Sequence, residues 1–171
     1  MSPFAVTREV RAPARDLWDL IVDWPRHGGW VPLTTMSVDE RGGHGVGSTF
    51  VGRTTLGRVG FDDVMTVVAW RPPEGDTVGR VRILHNGNVI GGWAEIEIRP
   101  VTASRCVVTW WEDVTLLPGL PSSAGKVLGL LAGPGNVFAG RLIFGRVLRL
   151  AAAQAEQAYA ITAAESAPER R

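Results

Sequence analysis

The chain has 171 residues, 45% hydrophobic and 20% charged, proportions that suit a folded globular protein and argue against a disordered or highly charged scaffold. Eighteen Lys and Arg against 17 Asp and Glu leave a formal charge of +1, so no basic surplus marks a nucleic-acid binder. A lone cysteine, Cys106, excludes an intramolecular disulfide and a cysteine-rich zinc site, and it fits a reducing cytoplasm.

No basic stretch followed by an apolar run follows Met1, so no signal peptide is expected. Residues 5–10 alternate through Val6, Arg8 and Val10 as a short strand does. Pro13 stands where a helix can start, because its missing N–H has no partner to lose there. Leu17, Trp18, Leu20 and Ile21 follow at helical spacing, predicting a helix over 13–22 that ends at Trp24-Pro25. Residues 24–30 read as a second short helix or turn, loosened by Gly28-Gly29. After Pro32 the spacing changes to strands, over 34–39, 48–55, 59–70, 78–85, 89–98 and 106–116. Gly42-Gly43-His44-Gly45, Gly57, Arg71-Pro72-Pro73-Glu74-Gly75, Asn86-Gly87 and Arg99-Pro100 separate them, and such short links make antiparallel hairpins. A Pro/Gly-rich link over 116–121 leads to a short helix over 122–131, which Gly133-Pro134-Gly135 interrupts. Its apolar run is too broken for the ~18 residues of a membrane span. Asn136 caps a long helix to about 163, with Val137, Phe144, Val147, Leu148, Ala151, Ala155 and Ala158 on one face. One domain over 1–164 and a polar tail over 165–171 are expected.

The predicted class is α+β: a seven-stranded curved antiparallel sheet gripping a long C-terminal helix, with two short helices after the first strand. The helix is the only element able to cover the concave face, and it covers only part of it, which leaves a candidate ligand cavity. The order of elements resembles the START-like, birch-pollen-allergen-like helix-grip superfamily (SRPBCC). Short stretches resemble its bacterial polyketide cyclase/dehydrase and lipid-transport branch. They are Ala12-Pro13-Ala14 with Leu17-Trp18, Val22-Asp23-Trp24-Pro25-Arg26-His27 and Trp30, then Phe61-Asp62-Asp63-Val64-Met65 and Trp70-Arg71-Pro72-Pro73. His85-Asn86-Gly87 and Val108-Thr109-Trp110-Trp111-Glu112-Asp113 complete the set, which covers residues 4–159. The resemblance implies a hydrophobic cavity and no fixed chemistry, since one fold hosts many functions.

Familiar catalytic signatures fail. Gly43-His44-Gly45-Val46-Gly47 precedes a strand, so no helix N-terminus faces a phosphate. Gly125-Lys126 is no P-loop, because Leu120 replaces the first glycine and Val127 the Ser/Thr. No G-x-S-x-G elbow occurs. His27, His44 and His85 are scattered without metal-ligand spacing, so neither a metal nor a cofactor is expected.

Alternation along the strands is more informative. Phe61, Asp63, Met65 and Val67 share one face; Val81, Ile83 and His85 oppose Arg80, Arg82 and Leu84. Ile90, Gly92, Ala94, Ile96 and Ile98 oppose Trp93, Glu95 and Glu97. Val108, Trp110, Glu112 and Val114 oppose Thr109, Trp111, Asp113 and Thr115. The apolar sets face the helix and carry Asp63, His85, Trp110 and Glu112 inward. Folding Val78 opposite Trp70 sets His85 opposite Asp63, and folding Ile96 opposite Val108 sets Gly92 opposite Glu112 and Ala94 opposite Trp110.

A buried carboxylate needs a partner, and three readings fit Asp63 and Glu112. They pair with His85, an arginine or backbone at the cavity mouth; they hold the polar end of an apolar ligand; or, with His85, they perform acid–base work on a poly-β-keto chain. Among the tryptophans, Trp18 and Trp24 seal the helix–sheet contact. Trp30, Trp70 and Trp110 line the cavity or its entrance, and Trp93 with Trp111 lies on the outer face, where a protein contact, a homodimer included, would fit. The ligand-lining set is Trp30, Met65, Trp70, Ile83, His85, Trp110, Glu112, Phe144 and Leu148, and residues 116–121 form a candidate lid. The expected function is binding of a hydrophobic or amphipathic small molecule, lipid or polyketide-like. A polyketide aromatase/cyclase-type enzyme and a protein-interaction module are the alternatives.

Overall fold

The computed structural model describes residues 3–117 and 136–166. Strand β1 (Phe4–Val10) leads into helix α1 (Ala14–Ile21), a single 3-10 turn (Trp24–Arg26) and the short helix α2 (His27–Trp30). Six strands follow: β2 (Thr34–Val38), β3 (Thr49–Leu56), β4 (Val59–Arg71), β5 (Gly79–Asn86), β6 (Ile90–Thr102) and β7 (Arg105–Leu116). Helix α3 (Asn136–Glu165) comes last. The seven strands form one antiparallel sheet in the order β1-β7-β6-β5-β4-β3-β2, so the first strand closes against the last. The expected helix-grip architecture is therefore present. The helix expected over 122–131, residues 118–121 of the candidate lid, the Val137 side chain and the tail from 167 lie outside the described residues.

Helix α1 forms because Pro13, extended at φ −55° and ψ 144°, starts it without wasting a donor. Ala14, Leu17, Trp18 and Ile21 then fall on one buried face. Trp24 is wedged into the core, and its Nε1–H donates to the Gly43 carbonyl at 2.8 Å. Gly43 has φ +73°, and a Cβ there would lie 2.4 Å from the Trp24 ring, so only glycine lets this loop close over the indole.

The inner sheet face is the core. Val67, Val81, Ile83, Ala94, Ile96, Ile98, Val108 and Trp110 are buried against Val147, Leu148, Ala151, Ala152 and Ala155 of α3 and the apolar face of α1. Small alanines on α3 let its backbone approach the layer beneath. Ala158, expected on that face, is exposed, and Ala152 is buried instead. The 3.6-residue period drifts along 30 residues, so a stripe extrapolated from one end slides off the contact.

Both predicted registers need correction by two residues at the site. His85 stands opposite Met65, not Asp63. Ile96 stands opposite Trp110, Ala94 opposite Glu112 and Gly92 opposite Val114. The loop after β4 is longer than a tight hairpin, with Arg71 opposite Arg80, and a bulge between Val67 and Ala69 takes up one residue. A shift of two preserves the face of every side chain, which is why the inward set survives both errors. The bulge also explains Trp70. Strict alternation from Val67 would turn it outward, but the extra residue brings it opposite buried Val81 and edge-on to Trp18, with ring centroids 5.2 Å apart. On the outer face, Arg80 and Arg82 bridge to Glu95, and the Arg82 guanidinium lies 4.3 Å above the Trp93 ring.

Candidate functional site

Strands β4, β5 and β7 each send one ionisable group inward: Asp63, His85 and Glu112. His85 and Glu112 stand on strands separated by β6, about 10 Å apart by strand spacing, and meet only because nothing intervenes. The β6 residues opposite them are Gly92 and Ala94. A Cβ at Gly92 would lie 2.0 Å from the Asp113 carbonyl, and its φ of +132° belongs to glycine, so the gap is built into the backbone. Asp63 reaches His85 diagonally from two residues along β4.

His85 Nδ1–H donates to both Asp63 carboxylate oxygens, at 2.9 and 3.0 Å. On the other side Glu112 Oε2 accepts from Trp110 Nε1–H at 2.7 Å. Its second oxygen, Oε1, lies 3.3 Å from His85 Nε2 but off the N–H axis, a charge contact without a hydrogen bond. Nε2 is thus a buried donor with no partner, the one such side-chain atom among the described residues. The side chains of His85 and Glu112 are 6% and 3% exposed.

Burial alone would pull the His85 pKa down. The Asp63 bond and the Glu112 contact outweigh it and hold the imidazole up at about 10, so it is a cation through neutrality. Burial pushes the Glu112 carboxyl above the usual range, against the downward pull of His85 and Trp110. A cation with so high a pKa is a fixed hydrogen-bond donor and electrostatic anchor; it surrenders a proton reluctantly at neutral pH. Cys106 is buried, its thiol pushed up to about 11 by burial, and is no nucleophile.

Around this cluster the structure gathers Met65 opposite His85, and Phe144 with its ring 5.0 Å from Trp110 and 5.8 Å from Phe4. Phe144 and Met65 are only partly buried. Ile83 and Leu148 are packed in the core at 2% and 1% exposure, and Trp30 is buried against His27. Trp70 stands apart, between Trp18 and His44, four pairs along the β4–β5 hairpin from His85. Among the described residues no cluster of His, Cys, Asp and Glu could hold a metal ion.

Sequence reasoning missed His27. It is 5% exposed, its ring within 6 Å of those of Trp24, Trp30 and Trp110, and Nε2–H donates to the Ile21 carbonyl at 2.7 Å. Burial drives its pKa down to about 4. The Trp24–His27–Trp30 spacing on consecutive turns was the available signal. Phe4, directly opposite Glu112, was also missed because the strand was expected to begin one residue later.

No family model and no curated protein sequence matches the chain. Solved structures do. The KanY protein superposes with a TM-score of 0.60 at 16% identity, over 91% of this chain and 97% of that one. The di-domain ARO/CYC StfQ from the steffimycin biosynthetic pathway gives 0.61 at 16% identity, over 91% of this chain and 51% of that longer chain. A START superfamily protein from Mycobacterium smegmatis gives 0.53 at 16% identity, over 82% of this chain and 98% of that one. The likeness shows the fold: a START-like helix-grip fold.

Proposed function

We propose that the protein binds a hydrophobic or amphipathic small molecule between the inner sheet face and α3, with the ligand's polar end at Asp63, His85 and Glu112. The observation that carries this reading is the unpartnered Nε2 of a buried, cationic His85 beside aromatic walls. A core built for stability alone has no use for a charged donor without an acceptor. Phe144, Trp110 and Met65 supply apolar area around it, the composition of a small-molecule site.

Native mass spectrometry of the protein as purified tests the proposal, followed by titration with an aromatic probe read by tryptophan quenching. A retained molecule or saturable 1:1 binding is expected, weakened by Phe144→Trp, which fills the space beside Trp110. A bare chain with no saturable binding of any probe would overturn the reading.

A polyketide aromatase/cyclase-type activity is the second reading. Its support is the likeness to StfQ and a fixed cation able to stabilise an enolate oxygen as a poly-β-keto chain folds. Cyclised product from such a chain, lost in His85→Gln with probe affinity retained, would favour the enzyme over the carrier.

A further inference from the structure

The ligand's polar group can be narrowed by counting what each atom of the cluster still lacks. Asp63 is engaged by His85 Nδ1, and Glu112 Oε2 by Trp110. Two adjacent capacities remain: the N–H of His85 Nε2, which lacks an acceptor, and the lone pairs of Glu112 Oε1, 3.3 Å away. One missing partner must accept, and the other must donate.

We infer that the group recognised here is a neutral hydroxyl — an alcohol, enol or phenol — accepting from His85 Nε2–H and donating to Glu112 Oε1. This rests on the binding reading above and deepens it. Other head groups leave part of the site unsatisfied. A carboxylate or phosphate accepts from Nε2 but meets Glu112 with no proton to give, in a buried site already holding two acids around one cation. An ammonium donates to Glu112 and leaves Nε2 orphaned. An ether or ketone accepts from Nε2 and leaves Oε1 unpaired. Of these head groups, only a hydroxyl is donor and acceptor at one atom. The aromatic neighbours Trp110 and Phe144, 5.0 Å apart, suit a planar body behind that hydroxyl. Sites built to pair a ligand hydroxyl reject the analogue lacking it far more strongly than apolar pockets reject a change of size.

A matched probe series on the full chain tests this: 2-naphthol, 2-methoxynaphthalene, naphthalene, 2-naphthoate and 2-naphthylmethylamine, compared by calorimetry at pH 7. Binding of 2-naphthol at least about ten-fold tighter than the other four is expected. With it, the His85 Nε2 proton should shift in 15N-resolved NMR on adding 2-naphthol and stay in place with naphthalene. Equal affinities across the series, with no His85 shift, would overturn the hydroxyl assignment and leave the binding reading standing. Tighter binding of naphthoate or of the amine would replace the hydroxyl by an ionic head group. Failure of every probe to bind would remove the binding reading itself, and the hydroxyl with it.

Discussion

His27 and His85 are 5% and 9% exposed, each hydrogen-bonded through one ring nitrogen, yet the protein treats them oppositely. His27 faces three indole rings and a backbone carbonyl, and burial leaves it neutral, with a pKa of about 4. His85 faces two carboxylates, and is held charged, with a pKa of about 10. Desolvation pushes both down; only the partners differ. A dipole such as the Ile21 carbonyl can orient a neutral imidazole and cannot sustain a buried cation. Two anions can. One histidine is therefore a packing element with a tethered donor, whereas the other is a buried cation held between two acids.

The comparison breaks most decisively by deletion. His85→Leu leaves Asp63 and Glu112 buried with no cation, and a broken buried pair costs on the order of 3–5 kcal/mol. Urea melts at pH 8 should show a loss of that size, growing as pH falls to 6.5, because the His85 proton held by the folded chain contributes more there. His27→Leu strands one carbonyl and should cost about 1–3 kcal/mol, with the opposite pH trend. Equal losses with equal pH trends would mean that the two histidines share one charge state.

Stability against pH sharpens the same contrast. Unfolded histidine titrates near 6.5. Between about 4 and 6.5 the unfolded chain binds the His27 proton and the folded chain does not, so His27 makes stability rise with pH. Between 6.5 and about 10 the folded chain keeps the His85 proton that the unfolded chain has lost, so stability falls as pH rises. Each limb has a limiting slope of about 1.4 kcal/mol per pH unit. The raised Glu112 carboxyl offsets part of the acid limb, so the His27 contribution is the difference between wild type and His27→Leu. That difference should grow from pH 4 to 6.5 and level off above.

A smaller effect isolates one partner. Asp63→Asn removes the anion bonded to Nδ1 and should lower the His85 pKa by about 1–3 units, leaving His27 where it is. Histidine NMR titration reads both at once. An unmoved His85 would mean that Glu112 alone sustains the cation.

The inward placement of Asp63, His85 and Glu112 was legible because side-chain faces depend only on the parity of position, which both two-residue register errors preserved. The partner assignments were less so. His85 meets Asp63 diagonally, and it meets Glu112 across a whole strand because Gly92 has no side chain. Alternation carries no information about reach over a neighbouring strand, although a glycine pair inside a strand marks where such reach is open. The bulge at Val67–Ala69 was invisible for a related reason: the sequence there is apolar throughout, so an inserted residue leaves no break in pattern. His27 lay in a short Gly-rich helix whose packing depends on Trp110, 83 positions along the chain, and no local pattern encodes that contact.

The smallest effect comes from a site on the outer face with the composition of the inner one. Arg80 stands beside Glu95 and Glu97, one cation between two carboxylates, just as His85 stands between Asp63 and Glu112. Its side chain is 46% exposed against 6% for His85. Water screens the Arg80 charges and solvates each one when its partner is removed, so neither the attraction nor the penalty for breaking it is large. Arg80→Gln should therefore cost less than about 1 kcal/mol, and less still in 0.5 M salt, where surface pairs are screened. His85→Leu, shielded from the same ions, should lose nearly the same stability at low and high salt. If the Arg80 loss matched the His85 loss, or if both fell equally with salt, the inner cluster would be solvated in solution. The charged state of His85 would then owe more to water than to its two acids.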